Sequence, residues 1–187
     1  MGSLRLVDVL AEHDVMQTLA VALNDEVVRV REVAISLLGR LAVRNPASVM
    51  PAMRKTLIQL LSELKQHSAG SQDQEQSASL LGHLIASCRI LIRPYVSSIL
   101  DVLLPRLSDA RNNANSCILS TLGVLATVGS RDMTPCVDHI VPLIVGTLQS
   151  NISPLKKEVR VCVFFVLSCF VILVSYSSFA YHSLHCT

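Results

Sequence analysis

The chain has 187 residues, and 51% of them are hydrophobic, with no Trp and only 4% aromatic residues. One domain is the prior at this length, and a core of Leu, Val, Ile and Ala suits packed helices. A formal net charge of +2 is too balanced to argue for a nucleic-acid partner. The cations Arg29, Arg31, Arg40, Arg44, Arg54 and Lys55 are interspersed with apolar positions and read as solvated helix faces.

The opening "MGSLRLVDVLAEHD" lacks the apolar core of a signal peptide, and Leu6 stands where a myristoylation signal needs Ser or Thr. The next segment, "DEVVRVREVAISLLGRLAVR", places Val27, Val30, Ala34, Leu37, Leu38 and Leu41 close to helical spacing. Asn45–Pro46 then offers an N-cap followed by proline at the first helical position, opening a second helix that runs to about Leu64. Pro51 falls inside that helix, and a kink or a late helix start is expected near Val49.

Pro51 lies 12 residues after Gly39, and the same interval separates Gly82 from Pro94 and Gly123 from Pro135. The three glycines are 43 and 41 residues apart, and so are the prolines. Leu38, Leu81 and Leu122 precede the glycines, and Leu41, Leu84 and Leu125 follow two positions later. A two-helix period of about 40 residues is the signature of a HEAT or armadillo array. Helices are expected over about Gln74–Cys88, Ile92–Leu107, Asn115–Val128 and Thr134–Leu148, with polar loops "QHSAGSQD" and "SDARNNANS" between the pairs. "NISP" opens a fourth unit with Ser153 as cap. The expected fold is all-α, an α-solenoid of antiparallel helix pairs. Its divisions are 1–24 (end of a preceding repeat), 25–67, 68–110 and 111–150 (three repeats), and 151–187 (a partial repeat running into a divergent apolar tail). The repeated prolines fall near helix starts, where a missing donor costs little. The repeated glycine costs about 1 kcal/mol relative to alanine in a helix, and close approach of a neighbouring helix is the expected reason for it.

The stretches "VALNDEVVRVREVAISLLGRLAVRNPASVMPAMRKTLIQLLSEL", "EQSASLLGHLIASCRILIRPYVSSIL" and "LKKEV" resemble the HEAT-repeat region of the target of rapamycin (TOR) kinases, over about Val21–Val159. "NPASVMP", "SLLGHL" and "LIRPY" are the most specific parts. The resemblance implies a large phosphatidylinositol-3-kinase-related serine/threonine kinase, whose helical solenoid scaffolds a growth-control complex while its kinase domain lies far toward the C-terminus. It therefore implies a non-catalytic protein-binding role in TOR growth and nutrient signalling, with TOR-complex subunits as partners and a cytoplasmic location. Asp25, Val30, Arg31, Ala34 and Gly39 stand where HEAT repeats favour such residues. Arg31 is replaced by Gln74 and Asn115 in the next units, which breaks an Asp–Arg ladder, and Lys157 returns a cation in the fourth.

A kinase needs a phosphate-holding loop, a base and metal ligands, and no such motif occurs in this chain. The seven glycines are dispersed. His83 follows the repeat glycine without a carboxylate–Ser or Cys constellation and reads as a helix-face residue. Arg93 and Tyr95 flank Pro94 and read as helix-terminal packing. The six cysteines form no C-x-x-C pair, and Cys88, Cys117 and Cys136 occupy apolar helical positions, as in a reducing compartment. The sequence nominates no catalytic, cofactor-binding or metal-ligating residue, no cofactor, no small-molecule substrate and no nucleic acid.

Val161–Thr187 contains no Asp, Glu, Lys or Arg and lacks the glycine and proline of a fourth unit. Three readings stand. The tail is the product of a truncation in which other sequence replaced the rest of the protein. Or Val161–Tyr181 anchors a cytosol-facing adaptor in a membrane, with Lys156, Lys157 and Arg160 on the cytosolic side. Or it is a buried helix that caps the array.

Overall fold

A computed structural model describes residues 14–66, 71–107, 115–133 and 137–150. Residues 14–22 form a helix, α1. It is followed by α2 (Val28–Arg44), α3 (Pro46–Lys65), α4 (Ser71–Ser87), α5 (Arg89–Ile92), a 3₁₀ turn (Arg93–Tyr95), α6 (Val96–Leu107), α7 (Asn115–Val128), α8 (Ser130–Met133) and α9 (Val137–Ser150). No strand occurs among the described residues. The expected tail, Pro135, Cys136 and parts of both interhelical loops lie outside the described residues.

The elements recur at the sequence period. α2 begins 43 residues before α4 and ends 43 before it, and α7 ends 41 residues after α4. The starts of α3, α5 and α8 keep the same intervals. First helices stack on first helices, α2 on α4 and α4 on α7, while α3 packs on α6 and α6 on α9. This is an α-solenoid, in which each apolar face is covered by its own partner and by the next unit. Equivalent positions are buried in successive units: Leu38, Leu81 and Leu122 on the first helices, and Val49, Ile92 and Met133 on the second.

Within a unit the two helices are joined by one residue: Asn45, Cys88 or Gly129. Asn45 caps α3, its side chain accepting from the Ser48 backbone N–H at 3.3 Å. With Pro46 at the first position, α3 starts there, so the late start expected near Val49 does not occur. The helix carries Pro51 in its interior and forgoes one backbone bond. Pro94, the equivalent residue, lies instead in the 3₁₀ turn that separates α5 from α6. The same proline is thus absorbed in one unit and tightens the chain in the next. The N-cap and first-position proline, which hold the start of α3, are replaced by Cys88 and Arg89 in the second unit, where no side chain caps α5.

The first two of the repeated glycines, Gly39 and Gly82, mark close approach between units, as expected. A Cβ on Gly39 would lie 2.6 Å from Ser87 Cβ and 2.7 Å from the Ser87 carbonyl oxygen on α4. A Cβ on Gly82 would lie 3.1 Å from Thr121 Oγ1 on α7. The Thr121 hydroxyl sits 2.8 Å from the carbonyl oxygens of both Ala78 and Cys117, and its single proton is shared between a bond across the stack and one within α7.

Two glycine substitutions separate packing from helix propensity. Gly39→Ala gains about 1 kcal/mol of propensity, but its methyl meets backbone, and overpacking of this kind costs about 1–3 kcal/mol; the expected outcome in urea unfolding is a lower midpoint. Gly146→Ala in α9 meets nothing within 4 Å, so the same substitution there raises the midpoint, by up to about 1 kcal/mol of stability.

Candidate protein-interaction surface

The seam between the first two units is polar at the edge where α3 ends and α4 begins. Ser77 Oγ donates to Glu63 Oε2 at 2.6 Å, Gln59 Nε2 donates to Glu63 Oε1 at 3.1 Å, and Gln74 Nε2 donates to the Gln66 carbonyl at 3.0 Å. An open hollow at this edge is lined by Arg31, Glu63, Gln66, Asp73, Gln76 and Ser77. Gln74 and Asn115, which take the place of Arg31, differ in what they bind. Gln74 ties α4 back to the end of α3, whereas the buried Asn115 Oδ1 and Arg31 Nε find no hydrogen-bond partner among the described residues. Asp25 accepts from the Val27 N–H at 2.8 Å, in a turn before α2. Of the positions where an Asp–Arg ladder would run, Asp25 and Gln74 are engaged in other bonds, while Arg31 Nε and Asn115 Oδ1 find no partner among the described residues.

A large apolar groove lies between α1 and α2. It has a volume of about 660 Å³ and is lined by Val15, Thr18, Leu19 and Ala22 on one side and by Val30, Val33, Ala34 and Leu37 on the other. The later units show what this face does when a unit stands in front of it. Leu80 and Thr121 occupy the register of Leu37 and are 0% and 1% exposed, against α2 and α4 respectively, while Leu37 is 40% exposed. Val33, at 67%, is the open counterpart of the half-buried Gln76 and Cys117. The groove thus has the polarity of a stacking face with no helix upon it among the described residues.

The residues weighed for chemistry are dispersed. His83 is exposed on α4, beside a shallow groove that also includes Cys117, Ser120 and Thr121. No cluster of three His, Cys, Asp or Glu residues suited to a metal occurs among the described residues. Tyr95 is half-buried, and the Arg54 guanidinium lies over its ring at 5.9 Å from the centroid, a cation–π contact between α3 and the 3₁₀ turn. Arg93 is exposed beside it. Cys88 is not helical, as its apolar setting suggested, but forms the one-residue bend between α4 and α5. It is buried there, and loss of solvent pushes its thiol up from 9.0 to about 11. No helix among the described residues is long and apolar enough to cross a membrane.

Fold and surface together define the class: an all-α helical-repeat solenoid of the HEAT/armadillo type. No family model matches the chain. Curated relatives do. It is 46% identical over 149 residues to the serine/threonine-protein kinase tor1 of Schizosaccharomyces pombe, covering 79% of this chain. It is 46% identical over 159 residues to the serine/threonine-protein kinase TOR of Oryza sativa subsp. japonica, and 41% over 149 residues to TOR2 of Saccharomyces cerevisiae, covering 82% and 80% of this chain. This chain is homologous to one segment of the TOR serine/threonine kinases, and it spans about 6% of the length of the curated relatives it matches.

The buried thiol gives a prediction with a definite sign. A pKa raised on folding means that the unfolded chain ionises first, so the contribution of Cys88 to stability is complete below pH 9 and is lost as pH rises toward 11. Iodoacetamide at neutral pH should leave Cys88 unmodified in the folded chain and alkylate it in denaturant, as peptide mass spectrometry would read. Cys88→Ala should flatten the fall in stability between pH 9 and 11 relative to the parent.

Proposed function

We propose that this chain is a non-catalytic, protein-binding piece of a TOR-type kinase scaffold, acting in growth and nutrient signalling through subunits of the kinase's complex, and that the kinase domain belongs to sequence outside it. The observation that carries this reading is the homology: more than three-quarters of the chain is shared with kinases of which it makes up about 6%. The open groove of α1 and α2 supports it, because a face built for stacking fits an interior stretch of a longer array. Residues 25–67, 68–110 and 111–150 are the repeating units in this reading, and 1–24 closes the unit before them. The location is the cytoplasm. The membrane-anchor reading of Val161–Tyr181 concerns residues outside those described, and the absence of a membrane-spanning helix among the described residues does not bear on it.

The reading is tested by affinity capture. The immobilised chain should recover TOR-complex subunits from a cell extract, and a longer fragment that restores the neighbouring repeats should recover more. If the longer fragment retains them and this chain recovers none, the scaffold role does not reside in these residues.

A further inference from the structure

The charges of the first two units are separated along the solenoid. Between Glu32 and Glu63, and again between Glu75 and Asp101, the sequence contains no Asp or Glu. The carboxylates Asp25, Glu26, Glu32, Glu63, Asp73 and Glu75 sit where α2 and α4 begin and where α3 ends. The opposite edge, where first helices hand over to second helices, carries only cations: Arg40 and Arg44 on the last turns of α2, and Arg89 and Arg93 around α5. All four are exposed, and none is in an ion pair among the described residues.

Two contacts place the stretches that carry these arginines side by side at this edge. Gly39, next to Arg40, packs directly on Ser87, two residues before Arg89. Arg54, from α3, crosses to the ring of Tyr95, two residues after Arg93. The same two stretches carry two bare aliphatic side chains, Val43 at 84% and Ile90 at 83% exposure, each next in the chain to an arginine, Arg44 or Arg89. Arg40, Val43 and Arg44 share one helix face by their spacing.

From this edge we infer a docking surface for an acidic protein segment that carries Asp or Glu together with a large aliphatic side chain, which deepens the reading of the chain as a protein-binding scaffold and rests on it. Guanidinium forks match carboxylates in bidentate geometry. Clustered cations without counter-ions raise the rate and specificity of encounter with an acidic partner. The aliphatic pair selects a peptide over a nucleic acid, which would seek exposed aromatic rings for stacking; the aromatic ring at this edge, Tyr95, is half-buried and already covered by Arg54.

The test uses the full chain and a fluorescein-labelled peptide of repeated Glu-Leu-Glu, followed by fluorescence anisotropy, with poly-Glu of equal charge, a single-stranded oligonucleotide and phosphatidylserine vesicles as comparisons. The Glu-Leu-Glu peptide should bind more tightly than poly-Glu, and its affinity should fall as salt rises from about 0.05 to about 0.5 M. Arg40→Glu, Arg44→Glu, Arg89→Glu and Arg93→Glu together should weaken it at least tenfold, with unchanged circular dichroism. Val43→Ser with Ile90→Ser should weaken the Glu-Leu-Glu peptide while leaving poly-Glu unaffected. Asp73→Lys with Glu75→Lys, at the opposite edge, should change nothing beyond a small general rise. Unchanged affinity in the fourfold arginine variant overturns the inference, and so does tighter binding of the oligonucleotide or the vesicles. Because the probe is a defined peptide, either result is independent of whether the chain captures complex subunits, which tests the scaffold reading separately.

Discussion

The close approach of successive first helices is the constraint on which the rest of this solenoid depends. Gly39 lets α2 lie against the backbone of α4 at Ser87, and Gly82 lets α4 lie against Thr121 of α7. A side chain at Gly39 would meet the backbone of Ser87 below 3.0 Å and force the helices apart, while one at Gly82 would meet Thr121 Oγ1 at 3.1 Å and demand a smaller shift. The separation would then be felt by every residue that the neighbouring unit buries, including Leu80, Leu84, Ile118 and Leu125, because a solenoid has no other layer to cover them. Interiors packed to this density transmit such displacements rather than absorb them.

That constraint also shapes the surface. Stacking consumes two faces of an interior first helix such as α4, so function must be read from edges and ends. At one edge the units are stitched by Glu63, Ser77, Gln59 and Gln74. The other edge has no carboxylate in the first two units, and its four arginines form no ion pair among the described residues. At the first described helices, α2 exposes Leu37, whose counterparts Leu80 and Thr121 are buried in the later units. The chain makes up about 6% of its kinase relatives, and an apolar face of stacking type lies open beside α1 and α2 among the described residues.

Comparison among the three units shows how far one sequence signal can be carried from place to place. Pro51 and Pro94 are equivalent in the period, yet the backbone treats them differently. Asn45 and Pro46 hold the start of α3 firmly enough that the helix runs through its proline, whereas the uncapped start of α5 gives way to a 3₁₀ turn. Arg31, Gln74 and Asn115 are likewise equivalent, but only Gln74 reaches a carbonyl of the neighbouring helix end. A repeat keeps the path of the chain more faithfully than it keeps the polar partners along that path.

The all-α class, the period of 43 and 41 residues, the helix pairs and the role of the repeated glycine were all legible in the order of the residues. These follow from short-range rules: helical spacing of apolar residues, caps, and the small set of residues tolerated at a close contact. Three features emerged only in the folded chain. Pro51 lies within an unbroken helix, Cys88 is a buried bend rather than a helical residue, and Arg40 and Arg44, read as solvated faces, share one edge of the stack with Arg89 and Arg93. The last of these depends on residues about 40 positions apart becoming neighbours, and the first two on how each helix start is held. Which side chains meet across a stack is fixed by the angle and separation of the packed helices, and no local pattern encodes either.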